Sequence, residues 1–549
     1  MRSYGYKVLA AVVAGMSGTA AMAQSVPSNL IVSGTTYQDV GQVSTIGAGS
    51  QLAGSTAGSY STAIANGQFQ SVFTNVGPDA SFGVTSQIFL QDYTTGSTVN
   101  INPGAIVSSF SSKSELAINV SSDGSSLTFM GYVPVTSFSS TGAGGVAAAT
   151  VGGTNNLGLL DISNSSTPDV VDPTDPVNAT AYRGVAQVSL ASLFGAASGS
   201  TIGAGSGVQV TNTDAYSGNN GRAVIDLNGQ YYMVGNAGNS GSGPSGTTLS
   251  ELSQDTGVQT IAAGSTSPTS TVVGTCTGTY GATKGYQCGY NPNSSSSKGD
   301  KTGKDDNFRG LALGPNNTLY VSKGSGSNGV DTVYQVSGFG TPSTATVAIA
   351  PGFPTATSTG STGAPFGIWF ANSSTAYVAY EGGDSIAGAN GALANEGGVA
   401  KYSLENGNWV EDYMINAGLQ QGFADGTQKL GADTSATTFY TDGVRNLTGQ
   451  VNANGTVTLY AVTNTLTDAG AGSNWDQGAN PDQVVELTDT LGAATAGTGE
   501  AFDTLETSAE GTAYRGVALA PSPVPLPAPA LLLLSGLGGL AALRRRMTA

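Results

Sequence analysis

The chain of 549 residues contains no histidine. Catalytic triads and dyads built on imidazole, His-ligated zinc, copper or non-haem iron, and histidine proton shuttles are all excluded by that one absence. Cysteine is almost missing as well: Cys276 and Cys288 are the only two, too few soft ligands for a metal site. Charged residues make up only 10% of the chain, and the basic side is the sparser, with 18 Lys and Arg against 35 Asp and Glu. Five of the 18 (Arg2, Lys7, Arg544, Arg545 and Arg546) lie in the two end segments, where there is no acid, so the body carries 13 against 35, a formal charge of −22. An anionic surface of that size repels phosphate backbones and anionic head groups, so nucleic acid is not expected as a partner. It suits solubility or divalent cations better.

What is abundant is glycine, 81 residues, among long stretches of Ser, Thr, Asn and Ala. That composition favours turns and strands over helices and predicts an all-β, extracellular type of body. The first 23 residues read as a secretory signal helix. Arg2 and Lys7 form a positive start, Val8 to Met16 an apolar stretch, and Ala21-Met22-Ala23 a small-x-small cleavage site before Gln24. The body is then residues 24–522, exported. In an oxidising compartment Cys276 and Cys288 most simply close one loop as a disulfide.

The other end, residues 523–549, has three parts in order: Val524-Pro525-Leu526-Pro527-Ala528, an apolar run over 529–543 with Ser535 its one polar side chain, and Arg544-Arg545-Arg546. The run is close to the lower limit of roughly 17 to 25 residues for a spanning helix, so a transmembrane helix is expected there. Three arginines hold its far end on the cytoplasmic side and leave the body outside. Pro525, Pro527 and Pro529 favour an extended segment that a processing enzyme could grip. This tail resembles the PEP-CTERM family of bacterial sorting signals in its Val-Pro-Leu-Pro-Ala variant. The resemblance implies an exosortase-like partner, a membrane-embedded cysteine protease/transpeptidase acting near Val524 to Ala528. It also implies an intermediate held in the inner membrane of a Gram-negative bacterium, and delivery to the cell surface or exopolymer matrix. A plain C-terminal anchor without processing is the alternative.

Within the body a hairpin unit recurs. Leu116–Val120 turns at Asp123-Gly124 into Leu127–Met130, Arg222–Leu227 at Asn228-Gly229 into Tyr231–Val234, and Arg309–Leu313 at Asn316-Asn317 into Leu319–Val321. Phe366–Phe370 turns at Asn372-Ser373 into Ala376–Ala379, and Leu447–Val451 at Asn454-Gly455 into Val457–Ala461. The spacing exceeds the roughly 40 to 50 residues of compact propeller repeats, which calls for long loops or weak intervening blades. The unit resembles the inner hairpin of NHL-type and related β-propellers, with Arg309–Val321 its best match, and implies six or seven blades. Thr512–Pro521 is a first strand without a second, and Ser28–Gly34 reads like the missing second strand. Pairing the two would close the ring and leave no naked sheet edge. An elongated β-solenoid or Ser/Gly-rich adhesin stalk is the rival architecture.

An arginine opens the inner strand in five units: Arg183, Arg222, Arg309, Arg445 and Arg515. In a propeller they would gather near the mouth of the central channel, as a positive ring suited to uronate, sulfate or phosphate groups of an exopolysaccharide. The competing expectation is structural, each arginine bridging to a carboxylate such as Asp305, Asp306 or Asp442. Paired acids can hydrolyse glycosides without histidine, and Glu381, Asp384 and Glu396 in one Gly-rich loop are candidates, although no spacing singles out a pair. The same loop could take Ca²⁺, but there is no twelve-residue calcium-loop pattern, nor any phosphate-binding Gly loop, and no cofactor is expected. The expected role is structural or adhesive. A carboxylate-dependent glycan hydrolase or lyase and a polysaccharide-binding lectin are the alternatives.

Overall fold

The computed structural model describes residues 28–36, 85–109, 112, 114–133, 182–216, 220–236, 257–274, 307–324, 330–355, 364–382, 397–419, 437–467, 482–509 and 512–521, with short strand pairs between them. The signal segment 1–23, the tail 523–549, Cys276 and Cys288 lie outside the described residues. Among the described residues no helix is long and apolar enough to cross a membrane.

The body is a six-bladed β-propeller. Blade 1 runs outward from Thr512–Pro521 through Ser28–Thr36 and Thr85–Asp92 to Ser97–Ile101. Blade 2 is Asn119–Val120, Ser126–Tyr132, Arg183–Ser189 and Val208–Thr213; blade 3 is Gly221–Leu227, Gln230–Gly235, Gly257–Ala262 and Thr271–Val272. Blade 4 is Phe308–Gly314, Thr318–Lys323, Thr332–Ser337 and Thr346–Ile349; blade 5 is Pro365–Asn372, Thr375–Tyr380, Gly398–Glu405 and Asn408–Ile415. Blade 6 is Thr437–Val451, Thr456–Thr467, Gln483–Thr490 and Asp503–Thr507. Helix is confined to one six-residue turn, Leu190–Gly195, and two 3₁₀ turns among the described residues.

The five hairpins read from the sequence are the first two strands of blades 2 to 6. The sixth is the closure: Thr512–Pro521 pairs antiparallel with Ser28–Thr36, from Ser28 opposite Pro521 to Thr36 opposite Thr512. The ring is thus locked by its own chain ends. The wide spacing of the hairpins comes from long connections, not from further blades.

Turn chemistry explains the tight ends. Asn228-Gly229 and Asn406-Gly407 hold positive φ, as two-residue primed turns require, and Asn316 and Asn317 hold it in the three-residue connection Pro315–Asn317. Each blade is covered on both sides by its neighbours, so second strands such as Ser126–Tyr132 and Thr375–Tyr380 are buried along their whole length instead of alternating. Among the described residues burial is accordingly distributed over six apolar clusters, one in each seam between blades. The closing seam holds Leu30, Val32, Phe89, Val462, Val484, Tyr514 and Val517, with Phe89 edge-on to Tyr514 at 6.1 Å.

The two faces of the disc differ. On one face lie the connections from first to second and from third to fourth strands, which run from the pair Asn228-Gly229 to the stretch 190–207, every residue of them described. At the other lie the strand ends that bound the connections from second to third strands and from blade to blade, including Thr36 and Thr85, Tyr132 and Arg183, Gly235 and Gly257, Val272 and Phe308, and Ile415 and Thr437. Both Ser28 and Pro521 sit at the short-turn face, so the two chain ends enter and leave there.

Candidate functional site

Six inner strands converge on the channel, and the sequence at their first residues is set by crowding. A Cβ on Gly310 would lie 1.9 Å from the carbonyl oxygen of Phe366, and one on Gly516 2.4 Å from that of Leu116. Glycine lets the neighbouring inner strand approach, and side chains then use its carbonyls. Ser33 Oγ donates to Leu116 O at 2.6 Å, Ser322 Oγ donates to Phe366 O, and Asn446 Nδ2 donates to Arg515 O at 2.6 Å. These bonds staple blade 1 to 2, 4 to 5 and 6 to 1 with groups that would otherwise be buried without partners.

The residue before that crowded position occupies the same level of the inner strand from blade to blade. It is Arg222 in blade 3, Arg309 in blade 4, Arg445 in blade 6 and Arg515 in blade 1, with Leu116 and Phe366 in blades 2 and 5. Four of the five expected arginines therefore share the inner-strand position. Arg183 does not: it opens the third strand of blade 2, opposite Tyr132 on one side and Thr213 on the other, with its guanidinium 5.4 Å above the Tyr132 ring. The inner strand of that blade is Asn119–Val120, and nothing in the tetrapeptide Tyr182-Arg183-Gly184-Val185 encodes its rank in the blade.

All five arginines are buried. Arg515 Nη1 donates to Asp482 Oδ2 at 2.8 Å and to the Tyr514 carbonyl at 3.1 Å. Arg445 Nε donates to Glu381 Oε2 at 3.3 Å and Nη2 to Asn464 Oδ1 at 2.5 Å, while Arg309 Nη1 lies 3.7 Å from Glu381 Oε1 and donates to Ser114 Oγ at 3.1 Å. Arg309 also sits 4.8 Å over the Phe366 ring, in the blade that lacks an arginine. Arg222 Nε donates to Asn220 Oδ1 at 3.0 Å, and its Nη1 donates to the Asn307 side chain and the Phe308 carbonyl. Asn220 in turn donates to Glu115 Oε1 at 3.3 Å, and Glu115 also accepts from Ser108 and Tyr132.

Burial dominates the electrostatics. It pushes Asp482 up to about 6, against the pull of Arg515 and then Arg445. It lowers Arg515, which Asp482 counteracts, and works still more strongly against the charged form of Arg222, with Arg309 adding to it. Guanidiniums and carboxylates thus meet at the mouth as Arg309–Glu381–Arg445 and Arg515–Asp482, and Arg222 reaches Glu115 through Asn220. Asp305 and Asp306 lie outside the described residues. Asp442 is buried against Gly382, whose added Cβ would fall 2.2 Å from Oδ2. Of the three loop acids considered for catalysis, Glu381 is described and bridges Arg309 and Arg445; Asp384 and Glu396 lie outside the described residues. Among the described residues, no group of three or more Cys, Asp or Glu is placed to hold a metal ion.

Sequence reasoning missed Glu115, Asp482 and the amides of Asn220, Asn307 and Asn464. Each lies at or beside a strand end at the long-connection face, and a lone acid beside a strand end has no periodicity to find. No known family model matches the chain, and no curated protein matches it.

Proposed function

We propose that this chain is an exported, non-catalytic adhesive or structural propeller of the cell envelope or exopolymer matrix, and that it meets its partners through the long-connection face. One observation carries the reading: the strand ends that bound the long connections are gathered on one face, while Ser28 and Pro521, the outer ends of the closing strand pair, lie on the opposite one. A tail anchored by residues 529–543 and Arg544-Arg545-Arg546 would then hold the short-turn face toward the membrane and turn the variable face away from it. Loops on a rigid scaffold are where recognition is carried. The closed ring suits such a scaffold, since only the outer strands of the blades are left as sheet edges. A non-catalytic role is further supported by Glu381, whose two carboxylate oxygens face two guanidiniums.

The sorting tail supports processing near Val524 to Ala528 by an exosortase-like enzyme. Intact mass and C-terminal peptide mapping of protein from its own host, fractionated into membrane, surface and medium, tests that step. Loss of the segment beyond about Ala528 in the surface or medium fraction is expected, and an intact tail confined to the inner membrane would refute it. The adhesive face is tested by replacing 37–84 with a short Gly/Ser linker between Thr36 and Thr85. Retention in the matrix fraction should fall while circular dichroism and melting stay unchanged; undiminished retention counts against the proposal.

A further inference from the structure

Away from the channel, the seam between blades 3 and 4 opens at the short-turn face into a groove of about 340 Å³. Its floor is a cross-strand surface of blade 3. Tyr232 pairs with Thr260 and Thr260 with Thr271, and Gln230 pairs with Ala262 in the next row on the same side of the sheet. Its far wall is the turn of blade 4 at Gly340 and Pro342, positioned by Phe339, which meets the Tyr232 ring edge-on at 4.9 Å. Gln230 Nε2 donates to Thr260 Oγ1 at 2.6 Å, and Thr260 Oγ1 donates to the Tyr231 carbonyl at 2.8 Å. That chain of bonds orients the Gln230 amide and leaves its oxygen and second N–H available. The hydroxyls of Tyr232 and Thr271 line the same space and have no hydrogen-bond partner among the described residues.

Every residue lining the groove is uncharged, in a body that carries 35 acids. A lining of hydroxyls and one amide offers paired donors and acceptors without a fixed charge, beside the buried body of a tyrosine. Its volume falls at the lower end of the roughly 300–1,000 Å³ of small-molecule sites. Cations and anions find no counter-charge there, and an apolar ligand would strand the hydroxyls. We infer that the groove is a binding site for an uncharged glycan, a short stretch of neutral sugar rings whose hydroxyls bond Gln230, Tyr232 and Thr271. This holds whether or not the long-connection face is the adhesive one.

Gly340 supplies a clean test, because a Cβ built there meets nothing within 4 Å and a side chain can enter the mouth of the groove without disturbing the fold. The full chain in detergent would be titrated with maltohexaose and cellohexaose by saturation-transfer-difference NMR, with oligogalacturonate as the charged comparison. One or both neutral hexaoses should bind in the millimolar range or tighter. Gln230→Ala and Tyr232→Phe should each weaken binding roughly two- to tenfold, the loss of one ordinary hydrogen bond, and Gly340→Arg should abolish it with melting unchanged. No transfer to either neutral hexaose at 10-fold millimolar excess, binding of the charged oligomer alone, or undiminished binding in Gly340→Arg would each overturn the assignment.

Discussion

The Arg515–Asp482 pair gives the sharpest test of the channel network. Both side chains are buried, 1% and 3% exposed, and they meet at 2.8 Å. Arg515→Met leaves a buried carboxylate with the more distant Arg445 as the other cation acting on it, and Asp482→Leu leaves a buried guanidinium without this carboxylate. Each single change should cost about 3–5 kcal/mol, because removing one partner exposes the full desolvation penalty of the other. The double variant removes both penalties and should lie above either single one, giving a coupling of at least about 3 kcal/mol. Urea unfolding followed by intrinsic fluorescence, with all four proteins at low and high salt, measures the cycle. Burial predicts that the coupling survives 0.5 M NaCl, since screening acts on exposed charge. Additive single costs, or a coupling that vanishes with salt, would refute the view that the ring is a dry ion-pair network.

Three further outcomes are expected. Gly310→Ala drives a Cβ to 1.9 Å from the Phe366 carbonyl and should cost at least about 3 kcal/mol, whereas Gly340→Ala, in open space, should stay within about 0.5 kcal/mol in the same denaturation assay. Asp482 has a folded value of about 6 against an unfolded value of 3.8, so the folded state takes up its proton first. Its contribution therefore favours folding as pH falls from 7 through 6 toward 4, by up to about 3 kcal/mol, and Asp482→Asn should remove that part of the pH slope of stability. Ending the chain at Gly511 deletes the inner strand of blade 1 with buried Ala513, Tyr514, Val517, Ala518 and Ala520, and should abolish cooperative folding by circular dichroism; ending it at Ser522 should leave melting unchanged.

The first hairpin of blades 2 to 6 was legible because its two strands are adjacent in sequence and joined by a turn with its own chemistry, such as Asn228-Gly229. The closure was legible for a related reason: Thr512–Pro521 lacked a second strand and Ser28–Gly34 lacked a first. Third and fourth strands were not, since long connections separate them from the hairpin and their apolar patterns are short. Arg183 shows where local reading stops. Tyr182-Arg183-Gly184-Val185 and Tyr514-Arg515-Gly516-Val517 are the same tetrapeptide, yet one opens a third strand and the other an inner strand. In both, the arginine is buried and the glycine is squeezed, against Val133 and Val210 in one and Leu116 in the other. The motif encodes a crowded strand start at the long-connection face; its rank in the blade is decided by which strands precede it.

That distinction bears on what the ring is for. A motif kept for ligand contact would have to place its guanidinium in the channel, whereas a motif kept for packing can recur at any crowded strand start. Arg183 stacks on Tyr132, Arg309 stacks on Phe366, and Arg222, Arg445 and Arg515 meet amides or carboxylates of adjoining strands and loops. Five buried arginines thus have one physical task, tying down strands where six blades crowd together. Held in that way, the mouth of the channel forms a rigid rim from which the long connections depart. Under the adhesive reading proposed above, specificity would rest with the connections, and the rim would supply the fixed geometry that recognition by loops requires.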